Sequence, residues 1–280
     1  VVFQESYAGS TTQAQNIIAG FEADIAALSL ASDLDVIADQ GLITGDWTAE
    51  TNRGMVSASV VAFDVRPGNP DGIANFGDLA KSGVEVLTPD PASSGGARWN
   101  IVAAYGAALR GKVPGYTADE AGAQKLLTDI FGNVTVLDKG ARDSIKNFET
   151  GNGDVAITYE NEVFTAQKAG LPDEMVIPPS TVLIENPVAV VDKYAEKHCV
   201  REVADAFVDF LFTEEAQGMY QSAGFLRPPD PAAARAGGGT FASIQDLFTV
   251  EDLGGWDQIN EKVFGKTDGI FTKAFAAARR

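Results

Sequence analysis

Cysteine and histidine are almost absent from this sequence. Its 280 residues include 1 cysteine, Cys199, and 1 histidine, His198. One cysteine excludes a disulfide within these residues, and one cysteine with one histidine cannot complete a four-ligand zinc site. The two are sequence neighbours, and neighbouring side chains on a helix point in different directions. This argues against a catalytic thiol–imidazole pair, and we expect neither an enzyme nor a metal site.

Basic residues and long apolar segments are scarce as well. Lys and Arg total 21 against 39 Asp and Glu, a net charge of −18, which argues against nucleic-acid binding because phosphate backbones require a basic surface. No apolar run reaches the roughly 18 residues of a membrane helix. Neither an Asp-x-Asp-x-Asp calcium loop nor a glycine-rich nucleotide loop occurs. We therefore expect a soluble protein without a cofactor, and no signal peptide is visible at its start.

The apolar pattern alternates between strand-sized runs and helical spacing. Strands are predicted at residues 1–5, 25–30, 57–65, 84–87, 134–137, 155–158, 182–184 and 188–191. Helices are predicted between most of them, for example at 33–38, at 98–109 and at 200–212. Strands that alternate with helices predict an α/β fold with mainly parallel sheets, and this length suits two lobes. In such sheets ligands bind at the carboxyl ends of strands, where helices begin.

The predicted strand-to-helix loops at 8–10, 93–96, 139–141 and 158–160 share one chemical character. Each offers small residues, hydroxyls and backbone N–H groups at a helix start, where free N–H groups and the helix dipole favour anions. Each loop alone has an ordinary explanation, such as Ser10 as a helix cap or Tyr159 as a core aromatic. The prediction of an anion site depends on all of them together. The acidic surface does not exclude it, because surface charge is screened beyond about 10 Å.

Three segments resemble those of prokaryotic sulfate-binding proteins: 91–100 (PASSGGARWN), 136–142 (VLDKGAR) and 153–162 (GDVAITYENE). Matches at 23–43, 187–192 (PVAVVD) and 226–228 (LRP) extend the resemblance over nearly the whole chain. It implies a two-lobed periplasmic-binding-protein (type II) fold with two crossover segments. Residues 1–66 and 188–280 would form lobe one, and residues 67–187 would form lobe two.

The resemblance also implies an inter-lobe site for sulfate, or a similar tetrahedral oxyanion such as thiosulfate, built from neutral hydrogen-bond donors. The implied donors are the hydroxyl and N–H of Ser10, the hydroxyl of Ser94, the N–H groups of Gly95, Gly96 and Ala141, and the side chain of Tyr159. The family often has Trp at position 159, whereas a tyrosine hydroxyl can either donate or accept. Sulfate carries no proton near neutral pH, so a site made of donors suits it.

Other polar residues near these loops receive supporting roles. Arg98 and Arg142 are interpreted as bracing the loops without touching the anion. Glu160 and Glu162 are interpreted as solvated or inter-lobe groups.

The implied role is that of a receptor in the periplasm, or an equivalent extracytoplasmic compartment. It would deliver its ligand to the membrane permease subunits of an ABC transporter. The family's opening strand and helix have no counterpart before Val1, so that part of lobe one is expected to be missing. An alternative is therefore a structural or accessory subunit with weakened ligand binding. In it, another chain would complete the lobe-one sheet by strand addition.

Overall fold

A computed structural model describes residues 1–279 and shows strands alternating with helices along the chain. The strands are β1 (Ile25–Ala27), β2 (Met55–Val65), β3 (Val86–Pro89), β4 (Val134–Asp138), β5 (Val155–Tyr159), β6 (Glu174–Val176), β7 (Ser180–Val190) and β8 (Asp246–Phe248). The helices are α1 (Ser10–Ile18), α2 (Ala31–Asp39), α3 (Gly95–Leu109), α4 (Glu120–Gly132), α5 (Ala141–Glu149), α6 (Glu160–Lys168), α7 (Asp192–Lys197), α8 (Arg201–Leu211), α9 (Glu214–Ser222), α10 (Pro231–Ala236), α11 (Gly255–Lys262) and α12 (Ile270–Ala278). No helix among these described residues is both long and apolar enough to cross a membrane.

The sheet is mixed, so the prediction of mainly parallel pairing is wrong. Its strand order is β1-β7-β2-β5-β3-β4. β3 runs parallel to β4 and β5, whereas β2 is antiparallel to both β5 and β7, and β1 is antiparallel to β7. The reason is that β1 and β2 run in the direction opposite to β3, β4, β5 and β7. An apolar strand sequence is compatible with either direction, because burial on both faces requires the same residues.

Strands β2 and β7 form the spine of the molecule. Each is 11 residues long, and every residue of β2 is buried. One apolar cluster, which includes Leu34 and Ile37 of α2, packs at the β1 end of the sheet, and a larger one, which includes Phe63 and Trp99, packs at the β5 end. The predicted lobe boundaries fall at the end of β2 and inside β7. The division into these two lobes stays a prediction.

The opening residues differ from the prediction. No strand forms at residues 1–5, where Val1 and Val2 are 90% and 89% exposed. β1 pairs with β7 on one side, and no described strand pairs with its other edge. An apolar alternating sequence becomes a strand when a neighbour supplies backbone partners, and none lies beside residues 1–5 in this structure.

One buried acid in the spine makes stability depend on pH. Asp64 of β2 is fully buried and neither carboxylate oxygen has a hydrogen-bond partner. Burial and the charges of Asp173 and Glu149 raise the pKa of Asp64 to about 7, against a lowering by Arg66. The folded state therefore holds this proton between about pH 4 and pH 7, where the unfolded state has lost it.

We expect Asp64→Asn to be more stable than the wild type above pH 7, by up to about 4 kcal/mol. This advantage should shrink towards zero as the pH falls below the ordinary pKa of 3.8, because the wild-type carboxyl is then neutral in both states. Urea unfolding of both proteins across this pH range measures the difference. The matched change Asp268→Asn, at an exposed position, should show no such trend. A pH-independent difference at position 64 would contradict the assignment.

Candidate anion-binding site

The N-termini of α1, α3 and α5 and the end of β5 converge on one point. A Cβ atom built on Gly95 would lie 2.9 Å from Cβ of Ser10. A Cβ atom built on Gly96 would lie 3.2 Å from Cβ of Ala141 and 3.6 Å from Cε1 of Tyr159. The structure thus brings the residues of the sequence-predicted site together. Their role as ligand donors stays a prediction.

Three of the helix starts at this point leave their backbone N–H groups without a side-chain cap. Gly9, Gly140 and Tyr159 precede α1, α5 and α6, and none of them caps its helix with a side chain. Ser94 does cap α3, since its hydroxyl accepts from Ala97 N at 3.3 Å. First-turn N–H groups have no partner within the helix and carry partial positive charge. The converging helix ends therefore suit an anion.

Close backbone contact holds α1 against α3. A Cβ atom on Gly9 would lie 2.2 Å from the carbonyl oxygen of Ser93, well inside contact distance. The backbone of Gly9 itself is extended, with φ −59° and ψ 143°, which any residue can adopt. Glycine is required here by the close approach of the two loops.

Two residues that the sequence did not single out complete the hydrogen bonding of the site. The Ser10 hydroxyl donates to Asp33 Oδ2 at 2.6 Å and accepts from Ser29 N at 3.1 Å. The Ser29 hydroxyl lies 2.6 Å from the hydroxyl of Tyr159. Burial raises the pKa of Asp33, which the Ser10 hydrogen bond and the charge of Arg98 partly oppose. Asp33 starts a predicted helix and Ser29 lies within the strand predicted at 25–30, so neither position carried a signal for this role.

The space beside the converging helices is lined by uncharged residues. A cavity of about 410 Å³ opens next to Ser10, Ser29 and Tyr159 and reaches Ser57 and Asn186 on the two spine strands. None of the described residues that line it is acidic, basic or a histidine. Ser10 and Tyr159 of the predicted site line this cavity, whereas Ser94, Gly95, Gly96 and Ala141 do not.

The two nearby arginines are engaged with protein groups, as a bracing role predicts. Arg98 donates to Asn260 Oδ1 at 2.9 Å, and its guanidinium lies 4.6 Å from the centre of the Phe264 ring. The Arg142 Nη1 atom lies 2.8 Å from Glu162 Oε2. Glu162 is therefore partnered, and burial raises its pKa while Arg142 lowers it.

The interpretation of Glu160 as solvated is wrong. Its carboxylate accepts two hydrogen bonds from Arg227, from Nε at 2.6 Å and from Nη2 at 2.7 Å, and both side chains are fully buried. Arg227 in turn pairs through its backbone with Ala58 of β2. This ion pair fixes the residue that follows Tyr159 to the spine. Glu160 and Arg227 lie 67 positions apart in the sequence, and only the fold brings them together. Their sequence positions therefore did not reveal the ion pair.

A mixed sheet with helix N-termini gathered around a neutral polar site defines an α/β solute-receptor class of protein. Residues 1–226 match the family model described as bacterial extracellular solute-binding protein, and the chain belongs to this family.

Similar proteins of known name are more specific. The chain is 43% identical to a sulfate-binding protein of Synechococcus elongatus, over 95% of this chain and 75% of that protein. It is 40% identical to the sulfate-binding protein of Escherichia coli over 94% and 80% of the two chains. A thiosulfate-binding protein of Pseudomonas aeruginosa is 34% identical over 99% and 82%. These relatives are named as binding proteins, in agreement with the expectation of a non-enzyme.

Solved structures confirm the predicted fold class. The sulfate-binding protein SubI from Mycobacterium tuberculosis superposes with a TM-score of 0.81 at 35% identity, over 91% of this chain and 86% of that chain. A periplasmic thiamin binding protein superposes with a TM-score of 0.68 at 13% identity, over 98% and 85%, which shows likeness of fold alone.

Proposed function

We propose that this protein binds sulfate, or a similar tetrahedral oxyanion such as thiosulfate, where α1, α3, α5 and α6 begin. The convergence of Ser10, Gly95, Gly96, Ala141 and Tyr159 within a few ångströms carries the proposal. The similarity to sulfate-binding and thiosulfate-binding proteins supports the choice of anion. The Ser10 hydroxyl donates to Asp33, so Ser10 can offer the anion only its N–H group. The structural-subunit alternative is not favoured, because the relatives are named as sulfate-binding and thiosulfate-binding proteins.

The energetics are consistent with reversible binding. Burying an unpaired ion costs far more than one hydrogen bond returns. About six charge-assisted hydrogen bonds at roughly 1.5–3 kcal/mol each, together with several helix ends, offset this cost and leave micromolar affinity. Hydrogen phosphate would place its own proton against a donor. We therefore expect calorimetry to detect sulfate binding near micromolar concentration, with hydrogen phosphate silent near neutral pH, and absence of a sulfate signal would contradict the proposal.

We expect Ala141→Pro to weaken sulfate binding about 10- to 100-fold while the fold is kept. Ala141 is the first residue of α5, where proline is well tolerated, and Gly140 before it is extended, with φ −146° and ψ 161°, as a residue preceding proline prefers. The substitution therefore removes one N–H donor, worth about 1.5–3 kcal/mol towards a charged group. Calorimetry measures the affinity, and urea unfolding checks the stability.

A matched control makes this test specific. Glu214 is the exposed first residue of α9, and its N-cap Thr213 is also extended. Glu214→Pro introduces the same backbone change away from the site and should leave sulfate affinity unchanged. Equal affinity of Ala141→Pro and the wild type would remove the α5 N–H group from the site.

The remaining part of the proposal concerns delivery. We place the protein in the periplasm or an equivalent extracytoplasmic compartment, where the two lobes close on the anion and the closed form docks to ABC permease membrane subunits. The similarity to extracellular solute-binding proteins and to a sulfate-binding protein supports this role. Solution scattering should show compaction when sulfate is added, and an unchanged radius of gyration would contradict closure.

A second chain that adds a strand belongs to the structural-subunit alternative. The unpaired edge of β1 supports pairing with an added strand, beside a cavity of about 690 Å³ that Phe3, Ile17 and Phe207 help to line. Light scattering of the protein copurified with its natural partners should then give a mass above that of one chain. A mass of one chain under these conditions would exclude the added chain.

A further inference from the structure

One hydrogen bond connects two sides of the site through a pair of hydroxyls. Ser29 follows β1, and Tyr159 ends β5, 130 positions further along the chain. Their hydroxyl oxygens lie 2.6 Å apart, and either can be the donor. Because each hydroxyl carries a single proton, the direction of this bond decides what Tyr159 offers to a ligand.

Ser29 is held firmly by groups on both sides. Its N–H donates to the Ser10 hydroxyl at 3.1 Å. Its carbonyl accepts from Trp99 Nε1 at 2.7 Å, and Trp99 is almost fully buried. A Cβ atom on Gly95 would lie 3.0 Å from Cβ of Ser29, so the residue also contacts the start of α3. The Ser29 hydroxyl is therefore aimed at Tyr159 by the surrounding structure.

The proton count distinguishes two states of the pair. If Ser29 donates to Tyr159, the phenolic proton is free to point at the anion and the site is made of donors. If Tyr159 donates to Ser29, the phenolic oxygen offers a lone pair instead, which suits a ligand that carries a proton. Burial raises the pKa of Tyr159, so the phenol keeps its proton in both states.

We propose that Ser29 is a positioning residue that makes Tyr159 a donor to the bound anion and so favours an unprotonated dianion over hydrogen phosphate. This inference rests on the proposed function and adds a specificity determinant to the same site. Ser29 satisfies the phenolic oxygen, which would otherwise remain available as an acceptor. The N–H groups at the helix ends donate to either anion, whereas the hydroxyl pair responds to the ligand proton.

The test is a double-mutant cycle on sulfate affinity. We expect Tyr159→Phe to weaken sulfate binding about 10- to 100-fold, because a donor to a charged group is lost. Ser29→Ala should weaken it about 5- to 10-fold in the wild type and less than about 2-fold when Tyr159 is already Phe, because Ser29 acts through the phenol. Ser29→Thr, which keeps the hydroxyl, should restore affinity.

The preference for sulfate over hydrogen phosphate is measured by displacing bound sulfate with hydrogen phosphate. A purely structural role of Ser29 would leave this preference unchanged. Ser29→Ala should lower the preference for sulfate over hydrogen phosphate, because the phenolic oxygen can then accept the ligand proton. The inference would be overturned if Ser29→Ala lowered sulfate affinity equally with Tyr159 and with Tyr159→Phe, or did not lower it at all. Sulfate binding by the wild type would still support the proposed function in that case. A wild type that binds no sulfate would overturn both.

Discussion

Gly9→Ala is expected to weaken sulfate binding at least about 100-fold. The added methyl would lie 2.2 Å from the carbonyl oxygen of Ser93, and neither backbone can yield without moving α1 away from α3. At least two donors, at Ser10 and Ser94, then lose their common geometry, and each is worth about 1.5–3 kcal/mol towards a charged group. Alanine suits the backbone angles of Gly9, so the effect is one of space and not of strain.

The measurement is calorimetric titration with sulfate, beside a glycine substitution without steric consequence. Gly218 lies in α9 with nothing within 4 Å of its added Cβ, so Gly218→Ala should keep the affinity. It should also stabilise the helix slightly, because alanine has the higher helix propensity. Sulfate affinity of Gly9→Ala close to that of the wild type would show that the α1–α3 contact does not shape the site.

Arg227→Met is expected to lower the free energy of unfolding by about 3–5 kcal/mol. The substitution leaves the buried Glu160 carboxylate without its two hydrogen bonds and removes donors to the carbonyl oxygens of Ala234 and Ala242. A buried charge without a partner is far more costly than the loss of an exposed ion pair. Urea unfolding followed by circular dichroism measures the change.

Two further proteins separate the buried charge from simple loss of contacts. Adding Glu160→Gln to Arg227→Met should recover part of the stability, because no charge is then left unpaired in the interior. Lys125→Met breaks an ion pair with Asp129 in which the lysine side chain is 67% exposed. It should lower the free energy of unfolding by less than about 1 kcal/mol. A loss as small for Arg227 as for Lys125 would contradict the role assigned to the buried pair.

The sequence predicted helices and strands correctly where the pattern of neighbouring residues was enough to define them. The predicted helix at 98–109 is observed at Gly95–Leu109, and the predicted strand at 57–65 is observed at Met55–Val65. Both follow from patterns that span neighbouring residues, such as an apolar run or helical spacing with a serine cap. The strand predicted at 1–5 is wrong, because a strand also needs a neighbour that the local pattern does not describe.

Patterns of neighbouring residues did not predict the direction of the strands or the partners of buried polar groups. The residues of β2 have the same apolar character whichever way the strand runs, so the sequence did not reveal its antiparallel pairing. Glu160 resembles any acid in the first turn of a helix, and its burial depends on Arg227, 67 positions away. The bond between Ser29 and Tyr159 likewise joins residues 130 positions apart.

The sequence by itself determined the elements, the family resemblance and the set of helix starts rich in glycine and hydroxyls, because these depend on neighbouring residues. Only the tertiary structure decided that Ser10, Gly95 and Ala141 meet, that Ser29 contacts Tyr159, and that Asp33 accepts a hydrogen bond from Ser10. The physical reason is that a hydrogen bond requires heavy atoms within about 3 Å. Residues distant in sequence reach that separation only when the spine strands have set the positions of the loops.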